Sequence, residues 1–190
     1  MSNLAIFASG TGSNAQKIID RFRDHPHIHV SLIVSNKPQA GVLEIAGREK
    51  IETLLIDKEK FFRGNGYADE LKATGINWII LAGFLWKIPE KLIAAFPDRI
   101  INIHPALLPK YGGKGMYGHF VHEAVIAAGE KESGITIHFV DEHFDHGAPI
   151  FQEKCSIDET DTPATLAAKV QALEHRHFPE VVEKLVLGTR

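Results

Sequence analysis

The chain has 190 residues, 44% hydrophobic and 24% charged, which is enough apolar material for a substantial core and excludes long disorder. Its formal net charge of -3 leaves no basic footprint for nucleic acid or for an anionic membrane surface. A lone cysteine, Cys155, rules out an internal disulfide, and the longest apolar stretch, residues 78–86, is too short to cross a bilayer as a helix.

A strand is expected at once, over residues 4–8, with no basic or long apolar leader before it, so a cytoplasmic protein is expected. A helix over 14–22 and a strand over 30–34 follow. Next come a helix over 42–49, a strand over 53–56, a helix over 67–73 and a strand over 78–82. A short helix near 89–95 leads to a strand that carries Asn102. Alternation of nearly continuous apolar strands with helices predicts an α/β fold, a mostly parallel sheet with helices on both faces.

Beyond residue 105 the pattern changes. A loop over 106–118 holds Gly112, Gly113, Gly115 and Gly118, and a helix over 120–128 follows. Strands over 134–140 and 149–156 are joined by residues 141–148, too few for a helical crossover, so an antiparallel C-terminal strand pair is predicted. Thr162-Pro163 opens a long last helix, with Thr162 as N-cap and Pro163 in the first turn.

The sharpest chemical signal is Asn102-Ile103-His104-Pro105. Alternation along a strand points Asn102 and His104 to the same side, and Pro105 ends the ladder because it has no N–H. An amide donor beside an imidazole suits chemistry at a carbonyl, one group holding the oxygen and the other moving a proton. Asp145, in the loop after residue 140, is a candidate third partner that would favour and orient the imidazolium, although a loop aspartate more often caps a turn. His138 is a further imidazole, directed to the same face as Thr136.

Ser9-Gly10-Thr11-Gly12-Ser13-Asn14-Ala15 lies between the first strand and the first helix. Free backbone N–H groups and the positive helix end favour a single phosphate there. A capped turn is a second reading. A dinucleotide fingerprint through Gly10, Gly12 and Ala15 is a third, and it lacks the acidic residue expected after the second strand, where Ser35-Asn36-Lys37 stands.

Other signals carry less. His25, His27 and His29 flank Pro26 and read as a solvated turn rather than a metal site. His122-Glu123 begins the zinc-protease pattern, but position 126 is Ile. Cys155 sits in a strand pattern and reads as core, so no metal is expected.

Taken together, Ser9-Gly10-x-Gly12-Ser13-Asn14, Asn102-Ile103-His104-Pro105-Ala106-Leu107-Leu108-Pro109-Lys110-Tyr111 and Asp145-x-Gly147 occur in the order that resembles the phosphoribosylglycinamide formyltransferase family of folate-dependent enzymes. The resemblance runs from residue 4 to about residue 180. It implies a Rossmann-like fold in a single formyltransferase domain over 1–190, with a nucleotide-phosphate-binding half at 1–100 and a folate and catalytic half at 101–190. It further implies transfer of the formyl group of 10-formyltetrahydrofolate to the amine of glycinamide ribonucleotide, without a metal, in purine biosynthesis, by a monomer or homodimer.

By the same resemblance Gly12, Ser13 and Asn14 would bind the phosphate of the ribonucleotide, and Gln171 and Glu174 would contact it from one face of the last helix. Leu85, Trp86, Lys87 and Ile88, with Val140, Asp141 and Glu142, would form the pterin pocket. Asn102 and a protonated His104 would flank the formyl group, with Asp145 raising the pKa of His104. The loop Gly112-Gly113-Lys114-Gly115-Met116-Tyr117-Gly118-His119 departs from the commoner Pro-Gly-x-His pattern, and His146 stands where the family has a small residue. A formyltetrahydrofolate deformylase and a dinucleotide-linked reductase are the alternative activities.

Overall fold

In β1 (Ser2–Phe7), Leu4 and Ile6 pack into one apolar cluster while Ala5 and Phe7 pack into another. That alternation is what a strand buried on both faces requires. The computed structural model describes residues 1–189. Its seven-stranded sheet has the order β3-β2-β1-β4-β5-β6-β7. Here β2 is Ile28–Ser35, β3 is Glu52–Leu55, β4 is Trp78–Leu81, β5 is Ile100–His104, β6 is Glu132–Phe139 and β7 is Pro149–Ser156.

Helices α1 (Ser13–Phe22), α2 (Gly41–Glu49), α6 (His119–Ala127) and α7 (Pro163–Leu187) cover one face through Ile18, Val42, Val121, Leu166 and Phe178. Helices α3 (Lys58–Arg63), α4 (Ala68–Ala73) and α5 (Glu90–Ala95) cover the other through Phe61, Leu71 and Leu92. The fold is thus a Rossmann-like α/β sheet, parallel from β3 to β5. At the start of α7, Thr162 accepts from the Thr165 amide and Pro163 occupies the first turn.

Two features differ from the sequence reading. Helix α3 is absent from the sequence reading: it has six residues, four of them charged, and only Phe61 is buried. Its signal is Asp57, whose carboxylate caps it by accepting from the Lys60 amide at 3.0 Å. In addition, β6 runs antiparallel to β5 as well as to β7. The loop after β5 and α6 together return the chain to the end of the sheet where β5 stops.

The order of the sheet places its switch point between β1 and β4, since the chain moves outward in one direction through β2 and β3 and in the other through β5. Connections leaving the carboxyl ends of β1 and β4 diverge there and leave a crevice.

Candidate active site

A cavity of about 820 Å³ opens in this crevice. One end is the turn between β1 and α1. Gly12 caps α1 with φ 82°, and no side chain bonds to the first turn, so its amides stay free for an anion. The capped-turn reading therefore fails for this loop. The left-handed backbone and crowding both favour glycine here: an added Cβ would lie 2.8 Å from Val42 Cβ.

Side chains from the C-terminal helix complete this end. Gln171 Nε2 donates to Ser13 Oγ at 3.3 Å, and Asn14 Nδ2 donates to Glu174 Oε2 at 2.9 Å. Burial pushes the Glu174 carboxyl above its ordinary value, against the opposing Asn14 hydrogen bond. Residues 158 and 160 positions apart in the chain thus share one cradle, and Asn14 Oδ1 remains buried without a partner.

The middle of the cavity holds the cluster at the end of β5. Asn102 Nδ2 lies 3.1 Å from His138 Nε2 and 3.5 Å from Asp145 Oδ1. Asp145 Oδ2 lies 3.6 Å from His104 Nδ1 and accepts from the Gly113 amide at 2.9 Å. The carboxylate also faces His138, with Oδ1 3.7 Å from Nε2. Asp145 adopts φ 57°, a left-handed conformation that aspartate tolerates and that turns its side chain inward. It therefore does not act as a turn cap.

Burial is the largest influence on the Asp145 carboxyl and pushes it up. The nearby His138 ring, the His104 charge and the Gly113 amide together outweigh it and hold the group below its ordinary value. For His104 the balance falls the other way. Burial lowers the imidazole below its ordinary value despite Asp145 and the Tyr111 carbonyl, which both raise it. Asp145 thus acts on the ring in the expected sense, raising it, while desolvation at 4% exposure pulls the other way.

His104 Nε2 lies 2.7 Å from the Tyr111 carbonyl oxygen, which can only accept, so this nitrogen carries a proton. Nδ1 is left facing Asp145 and is free to exchange a proton. Alternation along β6 puts His138 on the face of Thr136 but gives it no partner. Antiparallel pairing sets it directly opposite Asn102, and a register of that kind is not readable from one strand alone.

The far end is more apolar. Leu85, Trp86, Lys87 and Ile88, from the connection after β4, line it with Val140 and Asp141. Glu142 does not join them: its side chain is 64% exposed, and its carboxylate lies 3.9 Å from His143 Nδ1. Ser9 opens the glycine motif but has a further role that the motif does not reveal. It is 3% exposed, donates to Asn36 Oδ1 at 2.6 Å and accepts from the Leu85 amide at 3.0 Å, tying together the connections after β1, β2 and β4. Among the described residues no group of three metal-ligating side chains converges, and no helix is long and apolar enough to cross a membrane.

The fold and this cavity define a Rossmann-like α/β protein with one cleft at the switch point of its sheet. The chain belongs to the formyl transferase family, which it matches over residues 2–182. It is 43% identical over 185 residues to the chloroplastic phosphoribosylglycinamide formyltransferase of Arabidopsis thaliana, covering 94% of this chain and 63% of that one. With the phosphoribosylglycinamide formyltransferase of Bacillus subtilis strain 168 it shares 35% identity, over 98% of this chain and 95% of the other. The crystal structure of glycinamide ribonucleotide transformylase 1 from Symbiobacterium toebii superposes with a TM-score of 0.90 at 31% identity, covering 99% of this chain and 89% of that one. The chain spans 63% and 60% of the length of the plant relatives it matches.

Proposed function

We propose that this protein transfers the formyl group of 10-formyltetrahydrofolate to the amine of glycinamide ribonucleotide. The observation that carries the reading is convergence: Asn102, His104 and Asp145 meet midway along one cavity whose near end is the Gly12–Asn14 cradle. A phosphate at that cradle, held by free helix amides, Ser13 and Asn14, sets the ribonucleotide's long axis along the cavity. Gln171 and Glu174 flank it from α7. The shelf of Leu85, Trp86, Ile88 and Val140 fits a flat reduced pterin, with backbone groups along its edge, and the volume lies in the range of small-molecule sites.

The folate supplies the formyl group. Asn102, whose amide already reaches toward the centre of the cluster, donates to the formyl oxygen as the amine adds and negative charge gathers there. His104 rests neutral, with Nε2–H committed to the Tyr111 carbonyl, so Nδ1 takes the proton released by the attacking nitrogen. Asp145 stabilises the resulting imidazolium across 3.6 Å, and the ring then returns the proton to the departing folate nitrogen. Binding both substrates in one cleft turns a two-molecule encounter into a local step.

A dinucleotide reductase is disfavoured because β2 ends in Ser35-Asn36-Lys37, with no carboxylate for a ribose hydroxyl. The test is a formyl-transfer assay with glycinamide ribonucleotide present and then omitted. Turnover that requires the ribonucleotide supports the reading. Equal release of formate without it makes the protein a deformylase, and no reaction in either case removes the proposal.

A further inference from the structure

The fragment His122-Glu123 failed as a zinc motif, and neither residue enters the chemistry above. His122 nevertheless lines the cavity at 6% exposure, on the first turns of α6. Its Nδ1 is sealed from solvent and has no hydrogen-bond partner. Neighbouring α6 residues that face inward are Val121 and Val125, so hydrocarbon would fill this position without leaving a polar atom unpaired. Native proteins hold few such atoms, and those they keep commonly meet a ligand or a water.

Helix α6 packs against α7, which carries Gln171 and Glu174, and the ring of His122 is near enough to His104 for the two to repel as cations. That puts His122 beside the helix carrying Gln171 and Glu174, and its neighbours Val121 and Val125 pack on the face of the sheet opposite the one that Trp86 and Ile88 pack on. Burial and His104 both hold the imidazole below its ordinary value. It is therefore neutral, with one donor and one acceptor nitrogen, suited to an uncharged polar group and not to a phosphate.

We propose that His122 is a binding residue for the amine-bearing ribonucleotide, hydrogen-bonding a neutral hydroxyl or amide group between its phosphate and its reacting amine. This rests on the formyl-transfer reading of the cavity. The test is steady-state formyl transfer by the wild type, His122→Phe and His122→Gln, varying each substrate in turn. Loss of one ligand hydrogen bond in a desolvated site predicts that His122→Phe raises KM for glycinamide ribonucleotide about tenfold. KM for 10-formyltetrahydrofolate stays within about twofold, because the residue does not face the folate shelf.

His122→Gln, which keeps a donor and an acceptor, recovers most of the loss, a rescue that a packing role would not give. The Tm of His122→Phe does not fall, since an unpaired polar atom is exchanged for hydrocarbon. Should phenylalanine prove too large to fold, His122→Leu makes the same comparison. An unchanged ribonucleotide KM in the folded apolar variant overturns the proposal, as does an equal rise for both substrates. A wild type that cannot formylate the ribonucleotide removes the functional reading and this inference with it. An active wild type with an indifferent apolar variant removes this inference alone.

Discussion

Asn102, His104 and Asp145 carry the proposed chemistry, and two substitutions separate their parts. Asn102 is half-buried and bonded to His138, so Asn102→Ala leaves the sheet intact while deleting the donor aimed at the formyl oxygen. Loss of one such donor costs roughly 3–4 kcal/mol, and kcat for formyl transfer should fall about a hundredfold or more with circular dichroism and Tm nearly unchanged. Asp145→Asn separates charge from shape. His104 must be neutral at Nδ1 to accept the amine's proton, so activity falls as pH drops through the ring's value, which lies below its ordinary 6.5. Asp145 raises that value, and removing its charge lowers the ring further. The acid limb of the kcat/KM profile should therefore move to lower pH in Asp145→Asn, while kcat drops about 10²-fold or more because the imidazolium loses its counter-ion. An acid limb that stays in place would take the carboxylate out of electrical contact with the ring. Folding follows the same sign: the His104 contribution is complete above pH 6.5 and is lost as pH falls toward the ring's lower native value.

At the scale of elements, the site depends on turns more than on helices or strands. The β1–α1 turn works because Gly12 tolerates φ 82° and leaves room for Val42 of α2. Gly12→Ala imposes a strained backbone and a 2.8 Å approach, a combination expected to cost about 1–3 kcal/mol. Denaturant unfolding should show that loss, and the displaced amides should raise KM for the ribonucleotide more than for the folate. Ser9 holds the neighbouring turns to this one through Asn36 and the Leu85 amide, which joins the anion cradle to the apolar shelf. The turn after β6 has its own device. Gly147 lies where a Cβ would meet the Phe139 carbonyl oxygen at 1.7 Å, and this close backbone approach lets residues 141–146 fold back and bring Asp145 to β5.

Across the whole molecule, the cavity is assembled from both halves of the chain, and ligands that span it should clamp those halves together. A reduced-folate analogue at about 100 times its Kd adds about 2.7 kcal/mol of stability by mass action. For a domain of this size that corresponds to a rise in Tm of about 5–10 °C in a thermal melt. NADPH should give no shift, and a shift of similar size would revive the dinucleotide reading of Gly10, Gly12 and Ala15. Long-range joins explain why such coupling is expected. Asn14 of α1 bonds Glu174 of α7, Gln171 bonds Ser13, and Arg21 pairs with Glu183 further along the same two helices.

The amino-acid sequence by itself determined the alternation of strands and helices, the two buried faces of the parallel strands and the shared direction of Asn102 and His104, because these follow from the periods of the backbone. It also marked the Thr162-Pro163 helix start and the glycine turn after β1, where local chemistry dictates local shape. It was blind to α3, whose six charged and aromatic residues carry too little apolar pattern to stand out. Only the tertiary structure decided that Asp145 turns inward, that His138 lies opposite Asn102, and that Ser9 ties three connections together. It also set burial against the Asp145 carboxylate at the His104 ring. Those outcomes depend on register between distant strands and on burial, which arise when the whole sheet closes around the cavity.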